Sequence, residues 1–328
     1  MNYRSYKDLV NTIWKNLHKL PEVDLVVGIP RSGIIPASII ALQLNKPFLP
    51  FDSFIKGQTP YTGERMRSAL NSSCLKKDRK VLIVDDSTNS GWELKKKKEE
   101  ILNNNTEGTF YFLCVYGSPN SFTIPDICLE LLETPRIFQW NILNHKYLEN
   151  ACLDLDGVLC VDPKYEQNDD GARYREFCLN AKPLFIPFFR IGHIVTSRLE
   201  KYRPETEEWL KSKGIKYNEL HMMQYKTAKE RREDNKYGDY KARVYLETNS
   251  ILFIESERKQ ARIIHKLSKK PVFCTNTAEF YPSHIIDETI EIGLNKTTIK
   301  DSFSFIILRS KSKLKKMISL GKKIFSQL

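Results

Sequence analysis

Runs of apolar residues that lead into a polar turn and then into a helical pattern recur along the chain. In the first half such runs occupy residues 25–27 and 81–84, and apolar residues at helical spacing follow at 36–44 and from Trp92 onward. A short, wholly apolar run bounded by turn residues is typical of a strand buried on both faces of a sheet. Its alternation with helices predicts a doubly wound, parallel α/β domain whose ligands bind where the strands end.

The same pattern starts again at Ala151. Apolar runs lead into Asp154, Thr196 and Glu255, and a polar turn or a helical segment follows each of them. A length of 328 residues is enough for two domains of ordinary size. We therefore predict two Rossmann-like α/β domains and a C-terminal tail. The predicted parts are residues 1–148, residues 149–300 and the tail at 301–328.

The segment from Val81 to Gly91 combines two adjacent carboxylates with a hydroxyl-rich turn that opens a helix. Backbone N–H groups and the helix dipole at such a turn favour a phosphate. Asp85 and Asp86 suit the paired hydroxyls of a sugar, or a Mg²⁺ carried by a polyphosphate. The order of hydrophobic strand, two acids, three variable residues, Ser90 and Gly91 resembles the phosphoribosyl-pyrophosphate (PRPP) binding loop of type I phosphoribosyltransferases.

This resemblance implies a type I phosphoribosyltransferase fold for residues 1–148, with PRPP as a substrate. Asp85 and Asp86 would be catalytic residues that hold the ribose hydroxyls close to the positive charge developing on the sugar. The turn from Gly28 to Gly33 resembles the pyrophosphate-binding loop of the same family. The PRPP-binding residues implied are Arg31, Ser32, Gly33, Ser87, Thr88, Asn89, Ser90 and Gly91. Residues 61–70, which include two arginines, are the predicted loop that closes over the sugar phosphate, although an ordinary solvated loop fits equally well.

In the second half, Asp154 and Asp156 stand two positions apart at the end of an apolar run. Side chains with this spacing on a strand point to the same side, so both carboxylates can face one phosphoryl group and one Mg²⁺. The sequence from Asp154 to Val158 resembles motif I of haloacid-dehalogenase-like (HAD) phosphatases. The resemblance implies that Asp154 attacks phosphorus, whereas Asp156 protonates the leaving oxygen and then activates water.

Later segments resemble the other motifs of that family. The residues implied are Thr196 and Lys241 for phosphate binding, with Lys226 and Lys229 as alternative lysines, and Asp154, Asp156 and Glu255 as Mg²⁺ ligands. Many relatives have two aspartates where this chain has Glu255-Ser256-Glu257, and the role of Glu257 stays open. Residues 160–189, between the first two motifs, have room only for a small cap, and a small cap leaves the site accessible to a large phosphoester.

Composition and charge narrow the choice of partners. The net charge of +12 indicates an anionic partner, but the lysines are spread out and no RNA- or DNA-binding motif occurs, so we expect no nucleic acid. Seven cysteines without a CxxC pair indicate free thiols and argue against a zinc site. No apolar run of transmembrane length and no signal-peptide pattern occur, which predicts a cytoplasmic protein.

The tail has a charge pattern of its own. Residues 309–328 hold seven basic residues and no acidic one, with apolar residues at helical spacing. This pattern is typical of a helix lying on an anionic membrane surface, and it equally fits a terminal helix docked on the second domain. The first interpretation predicts peripheral contact with the inner face of a membrane.

The two resemblances together predict a bifunctional enzyme with Mg²⁺ as cofactor. The first half would transfer 5-phosphoribosyl from PRPP to an acceptor, and the second would remove the 5-phosphate to leave a ribofuranosyl group. Such pairs occur in bacterial polysaccharide ribofuranosylation, and this likeness favours a glycan or lipid-linked saccharide as acceptor. Two alternatives remain: a nucleobase phosphoribosyltransferase coupled to a nucleotide phosphatase, and a PRPP-sensing regulator with a degenerate HAD module.

Overall fold

The computed structural model describes residues 1–62, 78–104, 106–121 and 124–282. Met1–His284 form one compact unit. The predicted closing loop at 61–70 and the tail at 301–328 lie, apart from the first two loop residues, outside the described residues. No helix among the described residues is both long and apolar enough to span a membrane.

The first half contains a five-stranded sheet in the order β3-β2-β4-β5-β6, with every neighbouring pair parallel. Its strands are β2 (Leu25–Gly28), β3 (Phe48–Pro50), β4 (Lys80–Thr88), β5 (Thr109–Gly117) and β6 (Ile127–Leu131). The helices around it are α1 (Tyr6–Asn16), α2 (Ile34–Leu44), α3 (Phe51–Ile55) and α4 (Trp92–Asn103). The parallel α/β architecture predicted for this half is therefore confirmed.

Strand β4 shows why the apolar runs form central strands. Val81 and Ile83 pack into one buried cluster, whereas Leu82 and Val84 pack into the cluster on the opposite face. A strand that is covered on both sides has no polar face, so its sequence reads as a continuous apolar run. The strand is longer than that run, because its ladder with β5 continues to the pair Thr88–Gly117.

The second half contains a six-stranded sheet in the order β10-β9-β8-β11-β12-β13, parallel except for the last pair. Its strands are β8 (Ala151–Leu153), β9 (Ile191–Leu199), β10 (Tyr217–Met223), β11 (Leu252–Glu255), β12 (Val272–Cys274) and β13 (Glu279–Tyr281). Its helices are α5 (Ala172–Asn180), α6 (Arg203–Ser212), α7 (Ala228–Asp234), α8 (Tyr237–Glu247) and α9 (Arg258–Ser268). The predicted small cap at 160–189 contains only one α-helix, α5.

A third, two-stranded sheet involves residues near the N-terminus. Strand β1 (Asn2–Arg4) pairs in parallel with β7 (Arg136–Phe138). The ring of Tyr3 stacks on that of Phe280, from the second half, with centroids 4.5 Å apart. The division predicted at residue 148 stays a prediction, because contacts such as this one join the two halves within Met1–His284.

Candidate active sites

The first candidate site lies where β2 and β4 end side by side. Gly28 is in register with Val84, so the turn after β2 meets the two carboxylates of β4. The Ser32 hydroxyl donates a hydrogen bond to Asp86 Oδ1 at 2.8 Å. A Cβ added to Gly33 would lie 2.6 Å and 2.7 Å from two backbone oxygens, so only glycine permits this approach. The structure thus brings the two predicted segments together, while Arg31 is exposed at their edge.

Asp86 has a second partner that the sequence did not indicate. The indole N–H of Trp140 donates to Asp86 Oδ2 at 2.7 Å. Trp140 stacks on Phe138, with ring centroids 4.7 Å apart. Phe138 is the last residue of strand β7, so this strand positions the indole ring. Both Asp86 oxygens are therefore bonded in this structure, and a bound ribose hydroxyl would replace one of these donors.

The predicted phosphate loop is shorter than expected. Ser87 and Thr88 belong to strand β4, and the Thr88 side chain is buried. The turn proper consists of Asn89, Ser90 and Gly91, and Gly91 has a φ of 72°, which glycine adopts without strain. Helix α4 begins directly after it, so a phosphate would bind these three residues and the helix N-terminus.

A buried arginine supports this turn from below. Arg136 donates to the carbonyl oxygens of Thr88 at 2.7 Å, Leu132 at 3.1 Å and Tyr116 at 3.2 Å. Its guanidinium fixes the end of β4 and adds positive charge beneath the phosphate turn. Neither Arg136 nor Trp140 lies near the loop in sequence, so only the fold relates them to it.

Asp85 differs from Asp86 in its environment, and this difference leads to a prediction. Burial and the Asp86 carboxylate raise the pKa of Asp85 well above its usual value. The folded state therefore holds this proton more tightly than the unfolded state, so stability falls as the pH rises from about 4 toward the folded-state pKa. We expect Asp85→Asn to gain unfolding free energy relative to wild type at about pH 8 but not at about pH 4.

Urea unfolding at both pH values measures this effect. Asp52→Asn is the matched control, because the Asp52 side chain is 64% exposed. The free energy of unfolding of Asp52→Asn should differ from that of wild type by the same small amount at both pH values. A stability gain in Asp85→Asn that did not change with pH would contradict the assigned ionisation.

The second candidate site centres on a buried lysine. Lys241 Nζ lies 2.8 Å from Asp154 Oδ2 and 2.7 Å from Glu255 Oε2. Burial alone would lower the pKa of Lys241, but the two carboxylates raise it above its ordinary value. The alternative lysines are elsewhere: Lys229 pairs with Glu233 and is 80% exposed. The geometry therefore favours Lys241, which helix α8 carries to the end of β8.

Glu255, a predicted metal ligand, is bonded within the protein through both of its carboxylate oxygens. Its side chain is fully buried, Oε2 accepts from Lys241, and Oε1 accepts from the N–H groups of Ser256 and Glu257, both at 3.0 Å. Glu255 is not among the residues that line the neighbouring cavity, so its role as a metal ligand stays a prediction. In this structure Glu255 anchors Lys241.

Asp156 is held by an arginine that the sequence did not identify. Arg198, fully buried, donates from Nη2 to Asp156 Oδ1 at 2.7 Å and from Nε to Oδ2 at 3.0 Å. Thr196, on the same strand, is buried, and its hydroxyl accepts from the Arg198 N–H at 3.1 Å. Both oxygens of the predicted catalytic acid are therefore bonded to one guanidinium group, and a proton-transfer role would need its side chain to rotate away from Arg198.

A cavity of about 370 Å³ opens beside these residues. Its lining includes Asp154, Asp156, Asp162, Ser197, Arg231, Lys241, Ser256 and Glu257. Ser197 Oγ and Arg231 Nε are buried, and neither has a hydrogen-bond partner within the described parts of the chain. Unpaired buried donors are costly, so these two atoms indicate a polar ligand in the cavity. Sequence reasoning missed both: it assigned phosphate binding to Thr196, the neighbour of Ser197, and Arg231 belongs to no motif.

The oxygen-rich lining fits Mg²⁺. This ion binds through one or two carboxylates and retains several waters. Asp154 and Asp156 offer such carboxylates at the cavity, and Asp162, from the small cap, adds a third. Ser256 and Glu257 also face the cavity, whereas Glu255 does not.

Comparison with known proteins assigns the first part of the chain to a domain family. Residues 2–121 match the family model of the phosphoribosyl transferase domain. The chain therefore contains an N-terminal domain of this family, with the type I fold. This assignment supports PRPP as a substrate. No curated protein is similar enough to the chain to count as a match.

Several solved structures resemble part of the chain. The purine phosphoribosyltransferase of Pyrococcus horikoshii Ot3 is 22% identical, with a TM-score of 0.31, over 42% of this chain and 92% of that one. The xanthine-guanine-hypoxanthine phosphoribosyltransferase of Helicobacter pylori is 13% identical, with a TM-score of 0.32, over 43% and 92%. The adenine phosphoribosyltransferase of Thermoanaerobacter pseudethanolicus is 16% identical, with a TM-score of 0.27, over 38% and 81%.

Proposed function

We propose that the chain is a bifunctional enzyme that transfers 5-phosphoribosyl from PRPP to an acceptor and then hydrolyses the 5-phosphate. The observation that carries the second activity is the convergence of Asp154, Asp156 and Lys241 on a cavity with two unpaired donors, Ser197 Oγ and Arg231 Nε. Nucleophile, acid and phosphate-binding groups are the parts that phosphoester hydrolysis needs. This arrangement supports a HAD-like phosphatase as the second half.

The first half supplies what displacement at the anomeric carbon of PRPP requires. Asn89, Ser90 and the N-terminus of α4 bind the 5-phosphate, and Arg136 adds positive charge beneath them. Asp86 receives a ribose hydroxyl in place of the Trp140 or Ser32 donor. The acceptor attacks the anomeric carbon, and pyrophosphate leaves next to the turn that carries Arg31. Mg²⁺ bound with PRPP would neutralise charge on the leaving diphosphate.

In the second half, Asp154 is oriented for attack on phosphorus. Its Oδ1 accepts from the Leu155 N–H at 2.8 Å and its Oδ2 from Lys241 at 2.8 Å. Attack forms an aspartyl-phosphate and expels the sugar oxygen, which takes a proton from Asp156 once that carboxyl has left Arg198. Water then cleaves the aspartyl-phosphate, and Asp156 takes the proton of this water. Lys241, Ser197 and Arg231 stabilise the phosphoryl oxygens.

A saccharide is the acceptor that this combination suits best. A nucleotide that was made and then dephosphorylated would be largely futile for nucleobase salvage. A ribosylated glycan, by contrast, needs the 5-phosphate removed, and the hydrolysis makes the overall reaction irreversible. The small cap supplies Asp162 and Tyr174 to the cavity wall without a second cap domain, so a glycan or lipid-linked saccharide can reach the site.

One observation favours a different class of protein. Two nitrogen donors of Arg198, Nε and Nη2, hold the Asp156 carboxylate. A carboxylate held in this way is better suited to a binding site than to proton donation. If this pairing never opens, the second half binds phosphorylated ligands without hydrolysing them. The chain would then be a PRPP-dependent regulator.

Product analysis with the full chain tests the proposal. PRPP, Mg²⁺ and a panel of acceptors (oligosaccharides, lipid-linked saccharides, purine and pyrimidine bases) are incubated with wild type and with Asp86→Asn. We expect pyrophosphate and phosphate release with a saccharide, a ribose on the product, and loss of both signals in Asp86→Asn. Reaction with nucleobases alone would overturn the saccharide acceptor, and PRPP binding without turnover would establish the regulator.

A further inference from the structure

Three side chains with metal-binding atoms, none of which the proposed function uses, meet on the edge of the second sheet. His193 lies on β9, and Glu219 and His221 lie on β10, the edge strand. Glu219 is in register with His193, and His221 is two residues further along β10, so all three project from the same face. Within the described parts of the chain, no other trio of His, Cys, Asp or Glu brings its ligand atoms within 4.8 Å of one another.

The distances between these atoms fit one coordination geometry. His193 Nδ1 lies 3.2 Å from His221 Nε2 and 3.5 Å from Glu219 Oε2, and the last two atoms are 3.2 Å apart. Ligands about 2.0–2.1 Å from a tetrahedral ion lie about 3.3–3.4 Å from one another. At the same bond length, octahedral neighbours would lie about 2.8–3.0 Å apart. The three observed separations are therefore nearer to those of a tetrahedral zinc site than to those of an octahedral one.

We propose that His193, Glu219 and His221 bind a Zn²⁺ ion, with the fourth position open to water. Two imidazole nitrogens and one carboxylate form a donor set that zinc accepts, whereas Mg²⁺ prefers oxygen ligands alone. The absence of paired cysteines does not bear on such a site, because none of its ligands is a thiolate.

The surroundings support this assignment. Glu219 is 60% exposed, which leaves a path for the ion and a water. The bound ion would join the edge strand β10 to β9, the strand that carries Ser197 to the cavity and Arg198 to Asp156.

Zinc titration of the chelator-treated full chain tests the proposal. Calorimetry is run in excess Mg²⁺, which saturates carboxylate sites, and Co²⁺ replaces Zn²⁺ for visible absorption. We expect one equivalent of Zn²⁺ and the intense spectrum of tetrahedral Co²⁺. Each of His193→Gln, Glu219→Gln and His221→Gln should weaken zinc binding at least about tenfold. Removing a group that only hydrogen-bonds to a metal ligand already weakens metal affinity by about this factor.

Two controls make the result specific. His18→Gln alters an exposed histidine on another element and should leave zinc binding unchanged. Asp154→Asn alters the phosphatase cavity and should leave it unchanged too, so zinc binding can fail or succeed independently of the proposed enzyme. Circular dichroism verifies that each variant is folded. Zinc affinity that is equal in wild type and all three ligand variants, or an octahedral Co²⁺ spectrum, would overturn the proposal and leave a hydrogen-bonded cluster.

Discussion

Replacing Lys241 with methionine should destabilise the chain by about 3–5 kcal/mol, the usual cost of removing one partner from a buried ion pair. Methionine has nearly the same length, so the loss is one of charge rather than of packing. Asp154 and Glu255 would face each other without the ammonium that lies 2.8 Å and 2.7 Å from them. Urea unfolding followed by circular dichroism measures the change.

A matched control and a double variant show whether the ion pair is the cause. Lys229→Met, at a position 80% exposed, should change stability by no more than about 0.5 kcal/mol. Lys241→Met/Glu255→Gln should recover part of the loss, because only one carboxyl group, that of Asp154, then remains beside the missing ammonium. Glu255→Gln alone is measured as well. If the destabilisation of the double variant equals the sum of those of Lys241→Met and Glu255→Gln, this explanation is contradicted.

Asp154→Asn should separate the two proposed activities. Phosphate release should fall by at least roughly 10³-fold, because an amide cannot attack phosphorus. Pyrophosphate release from PRPP should continue, since Asp85 and Asp86 lie on the other sheet. Mass spectrometry should therefore find an acceptor that carries ribose 5-phosphate, where wild type yields ribose.

The control for this experiment is Asp239→Asn, which changes an exposed aspartate on helix α8. It should give the wild-type product at the wild-type rate. Unchanged phosphate release in Asp154→Asn would exclude Asp154 as the nucleophile. Loss of both activities in a folded variant would argue against two separate sites.

Residue patterns close together in the sequence predicted much of this structure. The strands before Asp85 and Asp154 were evident because residues buried on two faces form unbroken apolar runs. Lys226, Lys229 and Lys241 all precede β11, so the sequence left the lysine open, and the structure places Lys241 beside Asp154. The PRPP-loop resemblance agrees with the family match over residues 2–121.

What the sequence could not provide depends on contacts between distant residues. Trp140 reaches Asp86 across 54 positions, and Arg198 reaches Asp156 across 42. Glu255 illustrates a second limit, because a carboxylate after a strand can turn toward a cavity or toward a lysine, and the two conformations share one sequence pattern. Strand β4 likewise extends beyond its apolar run, because its backbone pairing with β5 continues through polar residues.

The pairing of β1 with β7, and of the Tyr3 ring with Phe280, sets an order for the folding of the chain. A ribosome releases residues 2–4 long before residues 136–138, and longer still before residue 280. During synthesis residues 2–4 thus remain without strand β7 until the whole first sheet has been made, and Tyr3 remains without Phe280 until nearly all of the second sheet has been made. Contacts of such long sequence separation slow folding. An extension fused ahead of Tyr3 would therefore interfere with a late folding step, after most of the sheet structure is complete.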